Sequence, residues 1–116
     1  MPIVLLLVVD DDDLRLFISL LLRQDRRLEV HGLTNAPLQA LELVETLDPD
    51  LIILDDGVDP NVRATRFDTS VLLFTSLDPL PAEQQRADRV LRKDNIVQLL
   101  GIVQEMLGLQ TRREVG

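Results

Sequence analysis

The 116-residue chain contains no cysteine, no tryptophan and no tyrosine, and a single lysine stands among eleven arginines. Without cysteine there are no disulfides, no thiolate zinc sites and no cysteine nucleophile. Aromatic residues are 3% of the chain, three phenylalanines in all. The core must therefore be built from Leu, Ile and Val, and platforms for stacking single-stranded bases are nearly excluded. Basic residues are outnumbered by acidic ones, giving a formal charge of −8 and a pI near 4.5, which argues against a polyanion partner, so no nucleic acid binding is expected. No apolar run approaches the roughly 20 residues of a membrane helix. The longest spans residues 3–9, meets aspartates at once and has no basic segment before it, so neither a membrane span nor a signal peptide is expected. A cytoplasmic location follows by default.

What remains is 46% hydrophobic and 28% charged, the balance of a globular protein, at a length that makes one domain. That domain is expected over residues 1–110, with residues 111–116 as a flexible tail. Five short apolar runs punctuate the chain, at residues 3–9, 28–31, 51–54, 71–74 and 90–92. The first, third and fourth are nearly continuous Val, Ile and Leu, as in strands buried on both faces of a parallel sheet. Helical spacing lies between them. Leu14, Phe17, Ile18, Leu21 and Leu22 follow Asp12 or Asp13 as N-cap, and Leu38, Leu41, Val44 and Leu47 follow Asn35, with Pro49 closing the segment. A third stripe, Ile96, Val97, Leu100, Val103, Met106 and Leu107, follows Asp94 or Asn95. This alternation predicts an α/β fold, a doubly wound five-stranded parallel sheet. The intervals 56–70 and 76–89 are near the minimum for a parallel crossover. The third helix is expected to be missing or reduced, and the fourth short.

Ligands of an open parallel sheet bind outside the carboxyl ends of its strands. Those ends carry Asp10, Asp11, Asp12 and Asp13 after the first strand, Asp55 and Asp56 after the third, Thr75 and Ser76 after the fourth, and Lys93 after the fifth. Converging carboxylates repel unless a cation joins them, and hard oxygen ligands suit Mg²⁺. A lysine and a hydroxyl opposite are what an acyl phosphate on one carboxylate requires, since the ammonium neutralises phosphoryl oxygens and the hydroxyl donates to one. Lys93 is the chain's only lysine, and a compact ammonium differs from a guanidinium fork at such a site. Each piece alone has a plainer reading. Asp10–Asp13 is equally a solvated strand end with a helix cap, Asp55-Asp56-Gly57 a turn opener, and His31 a structural or solvent-facing residue.

Together these residues resemble the receiver domains of two-component response regulators. Leu7-Val8-Val9-Asp10-Asp11-Asp12 is similar to that family's first strand and acidic pair, and Pro49-Asp50-Leu51-Ile52-Ile53-Leu54-Asp55 to its third strand ending in the phospho-accepting aspartate. Val71-Leu72-Leu73-Phe74-Thr75-Ser76 resembles the strand ending in the switch threonine, and Val90-Leu91-Arg92-Lys93 the strand ending in the lysine. The resemblance implies a flavodoxin-like sheet of order 2-1-3-4-5. It implies that Asp55 accepts a phosphoryl group from a sensor histidine kinase or phosphotransfer protein. By the same resemblance, Asp10 and Asp11 bind Mg²⁺ with Asp55 and the Gly57 backbone carbonyl, with Asp12 the alternative to Asp11, while Thr75 and Lys93 contact the phosphoryl group. The domain would be regulatory rather than an enzyme, at most catalysing its own phosphorylation and dephosphorylation. Modification would change the surface of the fourth and fifth strands and last helix, where a downstream protein partner docks.

Three departures stand against the family pattern. Asp94 replaces the proline after the lysine, Val90 replaces the switch aromatic, and the segment between Asp55 and Thr75 is short. Two expectations stay open: a phosphorylatable receiver, or a pseudo-receiver that keeps the fold for protein binding without phosphorylation. A lost helix would bare apolar strand surface, which a homodimer would cover. Outside this family, a nucleotide-binding Rossmann domain lacks its glycine fingerprint after the first strand, and a haloacid-dehalogenase-like phosphatase needs a longer chain than this.

Overall fold

The computed structural model describes residues 3–33, 37–56, 68–76 and 87–109. Five strands, β1 (Ile3–Val8), β2 (Leu28–Leu33), β3 (Leu51–Asp55), β4 (Ser70–Thr75) and β5 (Arg89–Arg92), form one sheet of order β2-β1-β3-β4-β5. All pairings are parallel. The flavodoxin-like topology expected from the sequence is the one observed. The helices are α1 (Asp12–Leu22), α2 (Pro37–Leu47) and α3 (Leu99–Met106). The third and fourth crossovers, whose helices were expected to be reduced and short, lie in residues 57–67 and 77–86, outside the described residues, as does the expected tail.

Period-two alternation divides the core into two layers. On one face Leu5, Leu7, Leu51, Ile53, Leu72, Phe74 and Leu91 pack with Ile18 and Leu22 of α1 and Leu99 and Val103 of α3. On the other, Leu6, Val8, Ile52, Leu54, Val71 and Leu73 pack with Leu43, Val44 and Leu47 of α2, and with Ala87 and Val90. Burial on both faces explains why β1, β3 and β4 read as continuous apolar runs. It also removes the ground for expecting a homodimer. Leu54, Val71 and Leu73 are buried within the single chain, so among the described residues no bared strand face is found there.

The helix boundaries correct two expectations. The N-cap of α1 is Asp11, not Asp12 or Asp13: its Oδ1 accepts from the Leu14 N–H at 3.0 Å, leaving Asp12 and Asp13 to favour the first-turn dipole. The third stripe does not open on Asp94 or Asn95 as a side-chain cap. Residues Lys93–Gln98 form a tight 3-10 segment interrupted at Asn95 (φ −104°, ψ 27°), and regular helix begins only at Leu99. The Asp94 carboxylate pairs instead with Arg92 at 3.5 Å. Asn35, the expected cap of α2, lies outside the described residues, while α2 does end before Pro49, on Asp48 at φ +47°. The last helix closes on Gly108, whose φ of +70° lets Gly108 N–H reach Glu105 O and Leu109 N–H reach Gln104 O, the Schellman pattern.

Several acids serve as backbone acceptors at the opposite edge of the sheet. Asp50 Oδ2 takes the Val4 N–H at 2.9 Å and Asp88 Oδ2 the Val71 N–H at 2.8 Å, satisfying donors where strands begin. In the turn after α1, Asp25 is 2% exposed. Its carboxylate accepts from the Arg27 backbone and guanidinium and from Gln104 Nε2 of α3 at 2.9 Å.

Candidate functional site at the strand ends

The carboxyl ends of β3, β4 and β5 lie side by side, and strand parity sorts their side chains. Asp55 continues the Leu51, Ile53 face, and Lys93 lies two residues beyond Leu91 on that same face. Asp56 and Thr75 continue the other face, after Ile52 and Leu54 and after Val71 and Leu73. The Asp56 N–H donates to Phe74 O at 3.2 Å, carrying the β3–β4 pairing one residue past the strand and bringing the Asp56 side chain against β4.

Asp55 is 2% exposed. The Lys93 ammonium makes an ion pair with its Oδ1, and that buried oxygen accepts no regular hydrogen bond. Lys93 Nζ also donates to Asp56 Oδ1 at 2.8 Å. The other Asp56 oxygen, Oδ2, accepts three donors: Thr75 Oγ1 at 2.9 Å, the Ser76 backbone N–H at 2.7 Å and Ser76 Oγ at 2.9 Å. Burial by itself raises the Asp56 pKa. Lys93, the Ser76 N–H and the two hydroxyls outweigh it, holding the carboxyl well below the usual range. Burial likewise lowers the Lys93 pKa, but the Asp55 and Asp56 carboxylates reverse the sign and raise it. The centre is thus one ammonium, two carboxylates and two hydroxyls, all ionised or hydrogen-bonded in a compact cluster.

The structure brings together three of the residues singled out from sequence, Asp55, Thr75 and Lys93, through Asp56. The remaining candidates are placed differently. Asp10 is exposed, Asp11 is committed to the α1 cap, and Asp12 pairs with Arg15, whose Nη1 donates to Val9 O at 2.9 Å. Gly57 lies outside the described residues. Among the described residues no three carboxylate or imidazole groups gather as a metal site, and no chemical step is assigned to Mg²⁺. The hub itself, Asp56, was visible in the sequence only as a strand-end acid. Counting strand parity from Ile52 and Leu54 would have placed it beside Thr75. His31 is half-buried, with Nε2 3.1 Å from Glu29 Oε2, well outside this cluster in sequence and on the edge strand β2.

Known structures share this arrangement of sheet and helices. The response regulator domain of Thermotoga maritima CheB superposes with a TM-score of 0.73 at 18% identity, covering 96% of this chain and 100% of that one. A response regulator signal receiver domain from Bermanella marisrubri gives 0.74 at 22% identity, over 92% and 99% of the two chains. The chain has the receiver-domain fold. The signal receiver domain of NarL from Mycobacterium tuberculosis matches this receiver fold at 27% identity and a TM-score of 0.70, over 94% of this chain and 98% of that one. No family model and no curated protein sequence matches the chain. Within the receiver frame, Asp55 stands at the end of the central strand β3. No helix among the described residues is long and apolar enough to cross a membrane.

Proposed function

We propose that this receiver is a phosphoacceptor signalling module in which Asp55 takes a phosphoryl group from a phosphohistidine on a partner kinase or phosphotransfer protein. The observation that carries the reading is the buried Asp55 carboxylate held against the chain's only lysine, with the Thr75 hydroxyl at the adjoining strand end. In the transfer, an Asp55 oxygen forms a bond to phosphorus as the P–N bond breaks. The imidazole retains that electron pair and takes up a proton. Lys93 supplies the positive charge that the transferring oxygens need, and Thr75 supplies a donor. On this reading the chain is a regulatory domain, and the acyl phosphate changes the surface around β4, β5 and α3 where a downstream protein docks.

Incubation with acetyl phosphate and Mg²⁺, followed by intact mass, tests it. One phosphoryl group should add to the native chain and none to Asp55→Asn. No addition to the native chain, or an undiminished one in the variant, overturns the acceptor reading. The reading that then stands is the pseudo-receiver, which one feature favours: Asp56 already engages the hydroxyls and the ammonium that a phosphoryl group would use.

A further inference from the structure

The Asp56 carboxylate accepts four donors from three residues on two strand ends, Thr75 Oγ1, Ser76 N–H, Ser76 Oγ and Lys93 Nζ, all between 2.7 and 2.9 Å. This donor set is unusual for a surface aspartate. Two hydroxyls and a backbone amide on one carboxylate oxygen with an ammonium on the other are a donor set suited to an oxyanion, and charge-assisted bonds of this length are the strong kind. Nothing in the helix or strand pairing requires an acid here, since the backbone pairing of Asp56 to Phe74 O is complete without its side chain. Asp94, the other acid beside Lys93 in sequence, turns to Arg92 and leaves the cradle to Asp56.

We propose that Asp56 is a tethered occupant of an oxyanion cradle formed by Thr75, Ser76 and Lys93, and that it keeps free phosphate out of that cradle. A carboxylate fixed to the same chain competes at high effective concentration, so a dissolved anion meets donors already satisfied. An acyl phosphate on Asp55 would have to displace Asp56 to reach the same donors. Movement of Asp56 is then the first event of switching. This regulatory role rests on the reading of the strand ends as a phosphoryl site, but the cradle itself is testable without any phosphorylation.

Inorganic phosphate is titrated into ¹⁵N-labelled native protein and Asp56→Ala, following the Ser76 amide, with chloride as the control for ionic strength. The variant should show a saturable Ser76 shift with phosphate and none with chloride, at an affinity ~10-fold or more above the native chain. Equal binding by the two proteins overturns the proposal, since Asp56 would then exclude nothing. Asp56→Asn, which keeps the volume and drops the charge, is the second variant should Asp56→Ala lose its amide dispersion. Absence of a saturable shift in both variants also overturns the proposal. A positive titration alongside failed labelling of Asp55 retains the cradle and removes only the acceptor reading.

Discussion

Lys93 Nζ lies 2.8 Å from Asp56 Oδ1 while also pairing with Asp55, so a single ammonium ties the end of β5 to two successive residues at the end of β3. That cation offsets the repulsion between two adjacent carboxylates, one of them buried.

Replacing Lys93 by Met removes the cation and keeps the apolar stem. The two adjacent carboxylates lose the cation they share, and one of them is buried. Breaking a buried pair costs ~3–5 kcal/mol, and because Lys93 and Asp56 are each about a quarter exposed the expected loss is smaller, about 2 kcal/mol. Chemical denaturation at neutral pH measures it. Adding Asp56→Asn to Lys93→Met should recover part of the loss, and a double variant no more stable than the single one would show that repulsion is not its cause. Lys93→Arg preserves the charge but not the compact ammonium. It is expected to fold with little loss, and to label at Asp55 more slowly than the native chain does.

The pH dependence of stability follows from the same groups and from Asp25. The Arg27 guanidinium beside Asp25, against the opposing effect of burial and with further help from Gln104, holds that carboxyl well below its ordinary value of 3.8. Asp56 is depressed as well. For groups lowered in the folded state, the stabilisation is complete above the unfolded pKa and is lost as pH falls toward the folded one. The denaturation midpoint should therefore decline below about pH 4, and Asp25→Asn should flatten that decline. Lys93, raised above its ordinary value of 10.5, acts in the other direction. Its stabilisation is complete below 10.5 and is lost only as pH climbs above it. An acid limb with the same slope in Asp25→Asn as in the native chain would assign it to other carboxylates.

Gln104 links two elements far apart in sequence, α3 and the turn after α1, through one bond to Asp25. Gln104→Leu keeps the bulk on a buried position and deletes the donor. Because the acceptor is an ionised carboxylate at a buried site, the expected cost is about 1–3 kcal/mol. Gln104→Leu combined with Asp25→Asn should cost less than the sum of the two single changes. Additive losses in urea melts would mean that the two residues act independently.

How much of this was legible in the sequence differs by element. The five strands and the three regular helices were, because Val, Ile and Leu runs and 3,4 spacing reflect which side chains must be buried, whereas the sheet order came from the resemblance to receiver domains. Asp55, Thr75 and Lys93 were legible as strand ends. The helix cap was displaced by one residue, because four consecutive aspartates offer interchangeable side chains and only backbone geometry selects Asp11. The same interchangeability bears on the metal expectation. A run of acids has the composition of a cation site, but local demands for an N-cap and for an Arg15 partner engage Asp11 and Asp12 first. Other acids, Asp25, Asp50 and Asp88, satisfy an arginine or strand N–H groups. Net charge alone does not reveal that division. The central position of Asp56 depends on two relations: parity from Ile52 and Leu54 gives its face of β3, and the pairing of β3 with β4, which no single strand's pattern contains, sets it beside Thr75.

Asp11 separates the cap from the cation site by sign. As the N-cap of α1 it accepts the Leu14 N–H, and loss of such a cap costs ~0.5–2 kcal/mol, with about 1 typical. Asp11→Ala should therefore lower the denaturation midpoint, and Asp11→Ser, which can cap through its hydroxyl, should restore most of it. A cation site predicts the reverse for metal-free protein. There, deleting one carboxylate of a repelling group raises stability, and added Mg²⁺ stabilises the native chain but not the variant. Melts of native, Ala and Ser proteins with EDTA and with Mg²⁺ distinguish the two. A cap gives Ala below Ser and Ser close to native in both buffers. Stabilisation by Asp11→Ala in EDTA would return the residue to a metal-binding role.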